Sequence, residues 1–528
     1  MLDPYDELPR RFNAAAHFVD RHIGEGRGER VALISEGRSI TYGDVQAQVN
    51  RVGNGLRRLG VRIEGRVPLL LPDCPEFVYG FWGAMKIGAV AVPVNPLLPP
   101  AGHDHILNDS RAETAIVHEA LARPIEARRS GLRSLKHVVV VGEPVAEQIP
   151  FHALLGGESP TLDPAETTKD DVALWLYTSG TTGVPKAAVH LQHDMVVCCE
   201  GYARHVLAVD ERDRCYSAAK LSFAYGLGNA LYFPFHVGAS TVLDAGRPTP
   251  QHIAGLIAAH RPTLFFAVPT TYAALLRAAE AGELDYDLGS LRCCVSAGEP
   301  LPKPIFDRWR ERFGLEILDG LGSSELCHIV ISNRMGQVRP GSTGTLVPGC
   351  DAKIVDDHGG EVPAGEVGHL MVKSESACAY YWNQHARTKE TLVGEWVRTG
   401  DHYVRDSEGS FWFVGRADDM FKVSGMWVSP AEVESALLQH EAVVEAAVVG
   451  APDADQLTKP FGFVVLAHTH APSAALEREL KDFAQARVGG RKAPRWIAFV
   501  PELPKAPTGK VLRSRLREAA TGRGLPQP

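Results

Sequence analysis

No stretch of about 18 consecutive apolar residues occurs in this chain, so no membrane-spanning helix is expected. The opening MLDPYDELPRRFN is acidic and polar and lacks the apolar centre of a secretory signal. Basic charge is also in short supply. The 55 Lys and Arg stand against 63 Asp and Glu, a net charge of −8, which leaves no basic face for nucleic acid. The nine cysteines contain no CxxC and no metal-ligand spacing, and their number is odd. They are expected to be reduced, mostly buried thiols of a cytoplasmic protein. Internal repeats and low-complexity tracts are missing too. What is there is 528 residues with 45% hydrophobic content, enough for a large core and roughly three structural units.

Helical and strand patterns alternate along most of the length. Thr41 to Leu59 has apolar residues at helical spacing and closes at Gly60, Val67 to Leu71 reads as a strand, Phe77 to Met85 as a helix, and Val90 to Val94 as a strand. The rhythm recurs at Ala115 to Val117, Val138 to Val141, Ser240 to Leu243, Leu264 to Val268 and Cys293 to Ser296. This predicts an α/β body with mostly parallel sheets. From about Gly344 short strands broken by turns predict a β-rich subdomain at about 344–417, inside an N-terminal domain of residues 1–417. A fresh α+β pattern after Gly415-Arg-Ala-Asp-Asp419 predicts a small C-terminal domain at 418–528.

The segment Thr178-Ser-Gly-Thr-Thr-Gly-Val-Pro-Lys186 follows an apolar run from Val172 to Tyr177. Gly180 and Gly183 let the backbone turn its amides toward an anion, Thr178, Ser179, Thr181 and Thr182 add neutral donors, and Lys186 adds a point charge. The GxxxxGK[ST] spacing of a Walker loop is not met. Further on lie Asp319-Gly-Leu-Gly-Ser-Ser-Glu325, just after a strand-like Leu315 to Leu318, and Arg398-Thr-Gly-Asp401. A carboxylate behind a Gly/Ser turn suits Mg²⁺ beside phosphates, and an aspartate at a strand end can accept both hydroxyls of a ribose; each is equally a cap or a turn. Pro507-Thr-Gly-Lys510 sets an ammonium after a flexible turn, the alternative being a solvated lysine.

In order, TSGTTGVPK, SAGEPLP (296–302), DGLGSSE, RTGD, GRADDMFKVSG (415–425) and PTGK resemble the adenylate-forming superfamily of acyl-CoA synthetases, luciferases and carrier-loading adenylation domains, over about Thr41 to Leu516. Ala218-Ala-Lys-Leu-Ser-Phe-Ala-Tyr-Gly-Leu-Gly-Asn229, GSSELCHIVISNR and DDMFKVSGMWVSPAEVE resemble its benzoate-CoA ligase branch. The resemblance implies a large N-terminal domain of α/β sheets with a small mobile C-terminal domain. It also implies a two-step reaction: an aromatic carboxylate and ATP give an acyl adenylate and pyrophosphate, and the CoA thiol then gives the thioester and AMP. ATP, Mg²⁺ and coenzyme A are the implied cofactor and co-substrates, with a cytoplasmic location, no membrane or nucleic-acid partner, and a homodimer left open.

By the same resemblance, residues 178–186 hold the β and γ phosphates, Glu325 binds Mg²⁺, and Asp401 holds the ribose with help from Arg416. Lys510 bridges carboxylate and α-phosphate. The catalytic set is thus Lys510, Asp418, Glu325 and Thr178, with Asp418 as the hinge. Adenine lies between Ala297-Gly298-Glu299 and Asp319, Gly320 and Leu321, and Ser324 touches phosphate. The superfamily usually has an aromatic residue in place of Leu321 and threonine in place of Ser324. Lys422, Ser424, Gly425 and Trp427 are implied for CoA.

The acyl pocket is implied at Lys220, Tyr225, Ala297, Gly322, His328 and Ile329. Where many relatives carry histidine, Phe223 stands here, with Lys220 three residues earlier and Tyr225 two later. Lys220 is either the counter-charge for the acid or part of an ion pair within the protein. His328 is either a polar edge for a hydroxyl or amino substituent or a satisfied core histidine. Two rival classes share the nucleotide motifs: an enzyme that loads a separate carrier protein, and a non-catalytic nucleotide-binding protein. The absence of a fused carrier after Lys510 favours CoA.

Overall fold

Long apolar runs such as Leu264–Ala267 and Val90–Pro93 are buried at every residue, as strands of parallel sheets covered on both faces must be. Two such sheets form the body. The first runs, edge to edge, Tyr380–Tyr381, Pro185–Leu191, Val172–Ser179, Val90–Pro93, Arg66–Leu70, Thr114–His118, His137–Val141, Ile149–Pro150. Its strands are parallel except for Pro185–Leu191 and Tyr380–Tyr381, which add antiparallel pairs at one side. The second runs Thr345–Leu346, Ile329–Ser332, Ile317–Gly322, Cys293–Ala297, Leu264–Ala267, Arg214–Ser217, Ser240–Leu243, Val31–Ser35, Arg38–Thr41, parallel in the middle and antiparallel at both ends. The computed structural model describes residues 4–179, 184–283, 287–423, 426–453, 457–505 and 511–521.

The helices follow local rules. Tyr42–Arg58 starts at a capping box in which the Asp44 amide donates to Thr41 Oγ1 and the Thr41 amide donates back to Asp44 Oδ2, both at 3.1 Å. It packs on Pro75–Lys86, and Gly83 permits the close approach: a Cβ there would lie 2.8 Å from Val52 Cγ1. Pro75–Lys86 is buried all round, which is why it shows no polar face.

A third, antiparallel sheet comprises Asp351–Val355, Gly368–Lys373, Trp396–Arg405, Leu392–Val393 and Phe411–Arg416. Beyond it come the hairpin Phe421–Val423 and Met426–Val428 and a three-stranded sheet, Val443–Pro452, Thr458–Leu466 and Trp496–Phe499. Pro430–Leu437, Ala474–Val488 and Arg513–Ala520 pack there around apolar clusters drawn from residues 421–520 alone. The expected α/β body, β-rich sheet and α+β C-terminal part are all present.

One local expectation differs. The strand expected at Leu315 to Leu318 is Ile317–Gly322, so Asp319 to Gly322 are strand and not turn. Antiparallel pairing with Ile329–Ser332 extends it, and a Cβ on Gly322 would meet the His328 carbonyl and the Ile329 amide at 2.5 and 2.8 Å. The widened π-helical turns at Cys199–Arg204 and Gly228–Tyr232 have no counterpart in the apolar spacing of the sequence.

Candidate active site

The 178–186 segment connects two antiparallel strands, with Thr178 opposite Lys186 and Ser179 opposite Pro185. Gly180, Thr181, Thr182 and Gly183 lie outside the described residues. Lys186 is the second residue of the return strand Pro185–Leu191, and its ammonium sits 3.7 Å from Glu325 Oε1 and 3.7 Å from the centre of the Tyr381 ring. The Tyr381 hydroxyl donates to the same Glu325 oxygen at 2.5 Å. Burial would raise the Glu325 carboxyl, but the Tyr381 hydrogen bond and the Lys186 charge outweigh it and hold the group below its ordinary value. Burial lowers the Lys186 ammonium, with Glu325 opposing. The two distant motifs therefore meet as a half-buried ion pair.

Glu325 lies in a short 3₁₀ turn, Ser324–Leu326. One ionised carboxylate beside the Lys186 ammonium fits Mg²⁺ delivered on a nucleotide, which needs one or two carboxylates and phosphate oxygens in place of a protein cage. Among the described residues no group of three or more His, Cys, Asp or Glu could hold a metal by itself.

Parallel pairing sets Ser296 beside Asp319 and Ala297 beside Gly320, so the two predicted adenine segments are adjacent. Gly298 has φ +93°, a left-handed conformation that turns the chain out of the strand. Asp319 is 6% exposed, and burial pushes its carboxyl well up. Glu299 Oε1 accepts the Val511 amide at 3.2 Å, tying the residue after Lys510 to this turn. Lys510 itself is outside the described residues.

Asp401 and Arg416 are register partners on neighbouring strands of the third sheet, and Arg416 Nη1 donates to Asp401 Oδ1 at 2.8 Å. Burial acts to lower the Arg416 guanidinium and the Asp401 charge, which prevails, to raise it. Asp418 lies in the turn after this strand. The next residue, Asp419, meets Arg513 at 3.6 Å and also Arg517, both on the last helix. Lys422 and Trp427 are register partners in the hairpin, whereas Ser424 and Gly425 lie outside the described residues.

Of the acyl-pocket candidates, His328 is wedged among Phe233, Tyr202, Tyr225 and Tyr232, with ring centres 4.5, 5.7, 5.7 and 6.2 Å away. Its Nε2 faces two acceptors, Tyr225 O and Asn229 Oδ1, both at 3.2 Å, so Nε2 carries the proton. Nδ1 is a buried acceptor with no partner among the described residues, and burial lowers the ring to about 3. The Tyr225 hydroxyl donates to Val295 O at 3.0 Å, which leaves the ring and not the hydroxyl as its free feature. Gly322 and Ile329 are paired across strands, and Ala297 is buried.

Of the two readings of Lys220, the geometry gives the ion pair: Nζ donates to Asp244 O at 2.6 Å and lies 3.7 Å from Asp244 Oδ2. The buried Asp73, pushed up to about 7 by burial against the opposing pull of Lys220, accepts the Leu221 amide at 2.9 Å. Asp73, Asp244 and Tyr381 carried no sequence signal, since each is linked to the site only across distant segments, and His190, four residues after Lys186, was passed over because its contact with Ser324 O spans 134 residues.

The comparisons agree with the motif reading. The model of the AMP-binding enzyme family matches residues 20–382, and that of the AMP-binding enzyme C-terminal domain matches residues 432–510. The chain is 43% identical to a benzoate–CoA ligase of Thauera aromatica over 98% of each chain. It is also 43% identical to a 4-hydroxybenzoate–CoA/benzoate–CoA ligase of Rhodopseudomonas palustris over 97% of this chain and 95% of that one. Among solved structures, an anthranilate CoA ligase in complex with anthranoyl-AMP superimposes with a TM-score of 0.94 at 42% identity, covering 98% of this chain and 99% of that one. The resemblance inferred from six ordered motifs is borne out, and the chain belongs to the AMP-binding enzyme family.

Proposed function

We propose that this protein is an ATP-dependent aryl-CoA ligase that activates benzoate or a substituted benzoate as the acyl adenylate, releasing pyrophosphate, and passes the acyl group to CoA, releasing AMP. The observation that carries this reading is the near full-length likeness to a benzoate–CoA ligase. Two anions must meet in the first step, so charge neutralisation and alignment dominate its barrier. In this reading the 178–186 hairpin and Lys186 take the β and γ phosphates, Asp401 the ribose hydroxyls, and Lys510 the charge that builds at the α-phosphate. Mg²⁺ arriving with the nucleotide would be held by Glu325 and would neutralise phosphate charge. Tyr225, Gly322, His328 and Ile329 surround the aromatic ring, and Lys220 supports the pocket through Asp244 and Asp73 in place of contacting the acid.

The division at 417/418 has a role here: Lys510 leaves and Lys422 to Trp427 approach as the C-terminal part turns about Asp418. A cytoplasmic location agrees with nine free thiols and with the absence of any described helix long and apolar enough to cross a membrane. The test is pyrophosphate exchange and AMP release across benzoate, its hydroxy, amino and halo derivatives, cinnamate and medium-chain fatty acids, with and without CoA. Turnover should need CoA and an aromatic acid. A fatty acid outperforming every aromatic acid would overturn the substrate class, and AMP release independent of CoA but dependent on an added carrier protein would overturn the acceptor.

A further inference from the structure

The turn that carries Ser324 and Glu325 is short and strained. It ends at Cys327, a non-glycine residue at φ +65°, a conformation that costs about 1–3 kcal/mol and persists only where its surroundings impose it. Those surroundings are three clamps on successive carbonyls. Ser324 O faces His190 Nε2 at 2.7 Å, Glu325 O accepts the Cys378 amide at 2.7 Å, and Leu326 O accepts the Ser376 hydroxyl at 3.0 Å.

The His190 clamp has a particular origin. Lys186 and His190 are four residues apart on the strand Pro185–Leu191, so the pleat directs both to one face. Lys186 reaches the Glu325 carboxylate from that face, and His190 reaches the carbonyl immediately before it. His190 is itself held: Nδ1 lies 2.6 Å from Asp194 Oδ2, and both side chains are fully buried. The other Asp194 oxygen meets His193 Nε2 at 3.1 Å, and that nitrogen also faces Glu375 O at 3.0 Å. A carbonyl can only accept, so Nε2 is the donor toward Ser324 whichever partner holds the proton shared with Asp194.

We propose that His190, oriented by Asp194, is a positioning residue for the nucleotide-borne metal: by fixing the Ser324 carbonyl it aims the Glu325 carboxylate and the Ser324 hydroxyl at the phosphates held by the hairpin. The proposal rests on the reading of Glu325 as the metal carboxylate. No part of it requires His190 to touch substrate.

The experiment compares His190→Gln, which keeps a donor where Nε2 stands, with His190→Met, which fills similar space without one, and with Asp194→Asn. Affinity for Mn²⁺·ATP is read from the electron paramagnetic resonance of free Mn²⁺, affinity for metal-free ATP is measured in EDTA, and melting temperatures are recorded for each. His190→Met should weaken Mn²⁺·ATP binding about 10–100-fold, the usual cost of losing a partner behind a metal ligand, while metal-free ATP binding stays unchanged. His190→Gln should bind near wild type, and Asp194→Asn should fall between. Unchanged Mn²⁺·ATP affinity in His190→Met, equal losses with and without metal, or a His190→Met that does not fold beside a folded His190→Gln would each overturn the proposal. Wild-type protein without any aryl-acid-dependent pyrophosphate exchange would instead remove the functional reading.

Discussion

A methyl group added at Gly228 tests the acyl pocket most directly. Its Cβ would lie 2.7 Å from His328 Nε2 and 2.9 Å from Tyr232 Cζ, and nearer still to His328 Cδ2. Real Cβ contacts do not come so close, and the His328 ring is enclosed by Phe233 and three tyrosines, so it must tilt. Overpacking of this kind costs about 1–3 kcal/mol. The tilt also strains the Nε2 hydrogen bonds to Tyr225 O and Asn229 Oδ1, worth about 1 kcal/mol each. Gly228→Ala should therefore lose about 2–5 kcal/mol of stability in denaturant unfolding. Because His328 and Tyr225 move together, the KM for benzoate should rise about tenfold or more, the equivalent of about 1.4 kcal/mol. The KM for ATP should hold, since Lys186 and Asp401 lie on other strands and the Glu325 carboxylate is held by Tyr381 and Lys186. Pyrophosphate exchange with each substrate titrated at saturation of the other reads both. Wild-type benzoate KM together with wild-type stability would refute the packing argument, and a matched rise in both KM values would refute the placement of the acyl pocket.

Lys510→Ala should lose adenylation by about 10²-fold or more yet still make thioester from premade adenylate, whereas Asp418→Pro should do the reverse; equal loss of both half-reactions in both variants would sink the alternating-domain account. Asp401→Ala removes a charged acceptor worth about 1.5–3 kcal/mol, so the KM for ATP should rise about 10–100-fold with the benzoate KM unmoved, and an unchanged ATP KM would exclude the ribose role. Burial holds His17, His22 and His328 neutral down to about 2, about 4 and about 3, against about 6.5 in an unfolded chain. The folded chain thus refuses protons that the unfolded chain takes up below pH 6.5, so this part of the stability is present above that pH and is lost as pH falls toward 4. Three such protons amount to about 4 kcal/mol per pH unit at most, and unfolding free energies that match at about pH 7.5 and about pH 5 would contradict it.

The nucleotide motifs were visible in the sequence because each is local: a run of hydroxyls, glycines and a lysine, a carboxylate after a Gly/Ser run and an aspartate in a polar strand are each ambiguous alone and point to nucleotide chemistry only through their shared order. The helix Tyr42–Arg58 was legible for the same reason, since its apolar spacing runs from Thr41 and closes at Gly60, whereas its Thr41 and Asp44 capping box came from the structure. Asp319 to Gly322 was less so, because glycines that suggest a turn are there to let the strand at 329–332 approach.

The sequence alone determined the α/β body, the order of the nucleotide motifs and the family they belong to, since each depends on neighbours a few residues apart. Tertiary structure alone decided which charges pair: that Lys186 meets Glu325 and Tyr381, that Lys220 turns to Asp244, and that His190 holds the Ser324 carbonyl. The physical reason is that a charge or a hydrogen-bonding group takes whichever partner the fold brings within about 3–4 Å in a dry interior, and chain spacing carries no record of that distance.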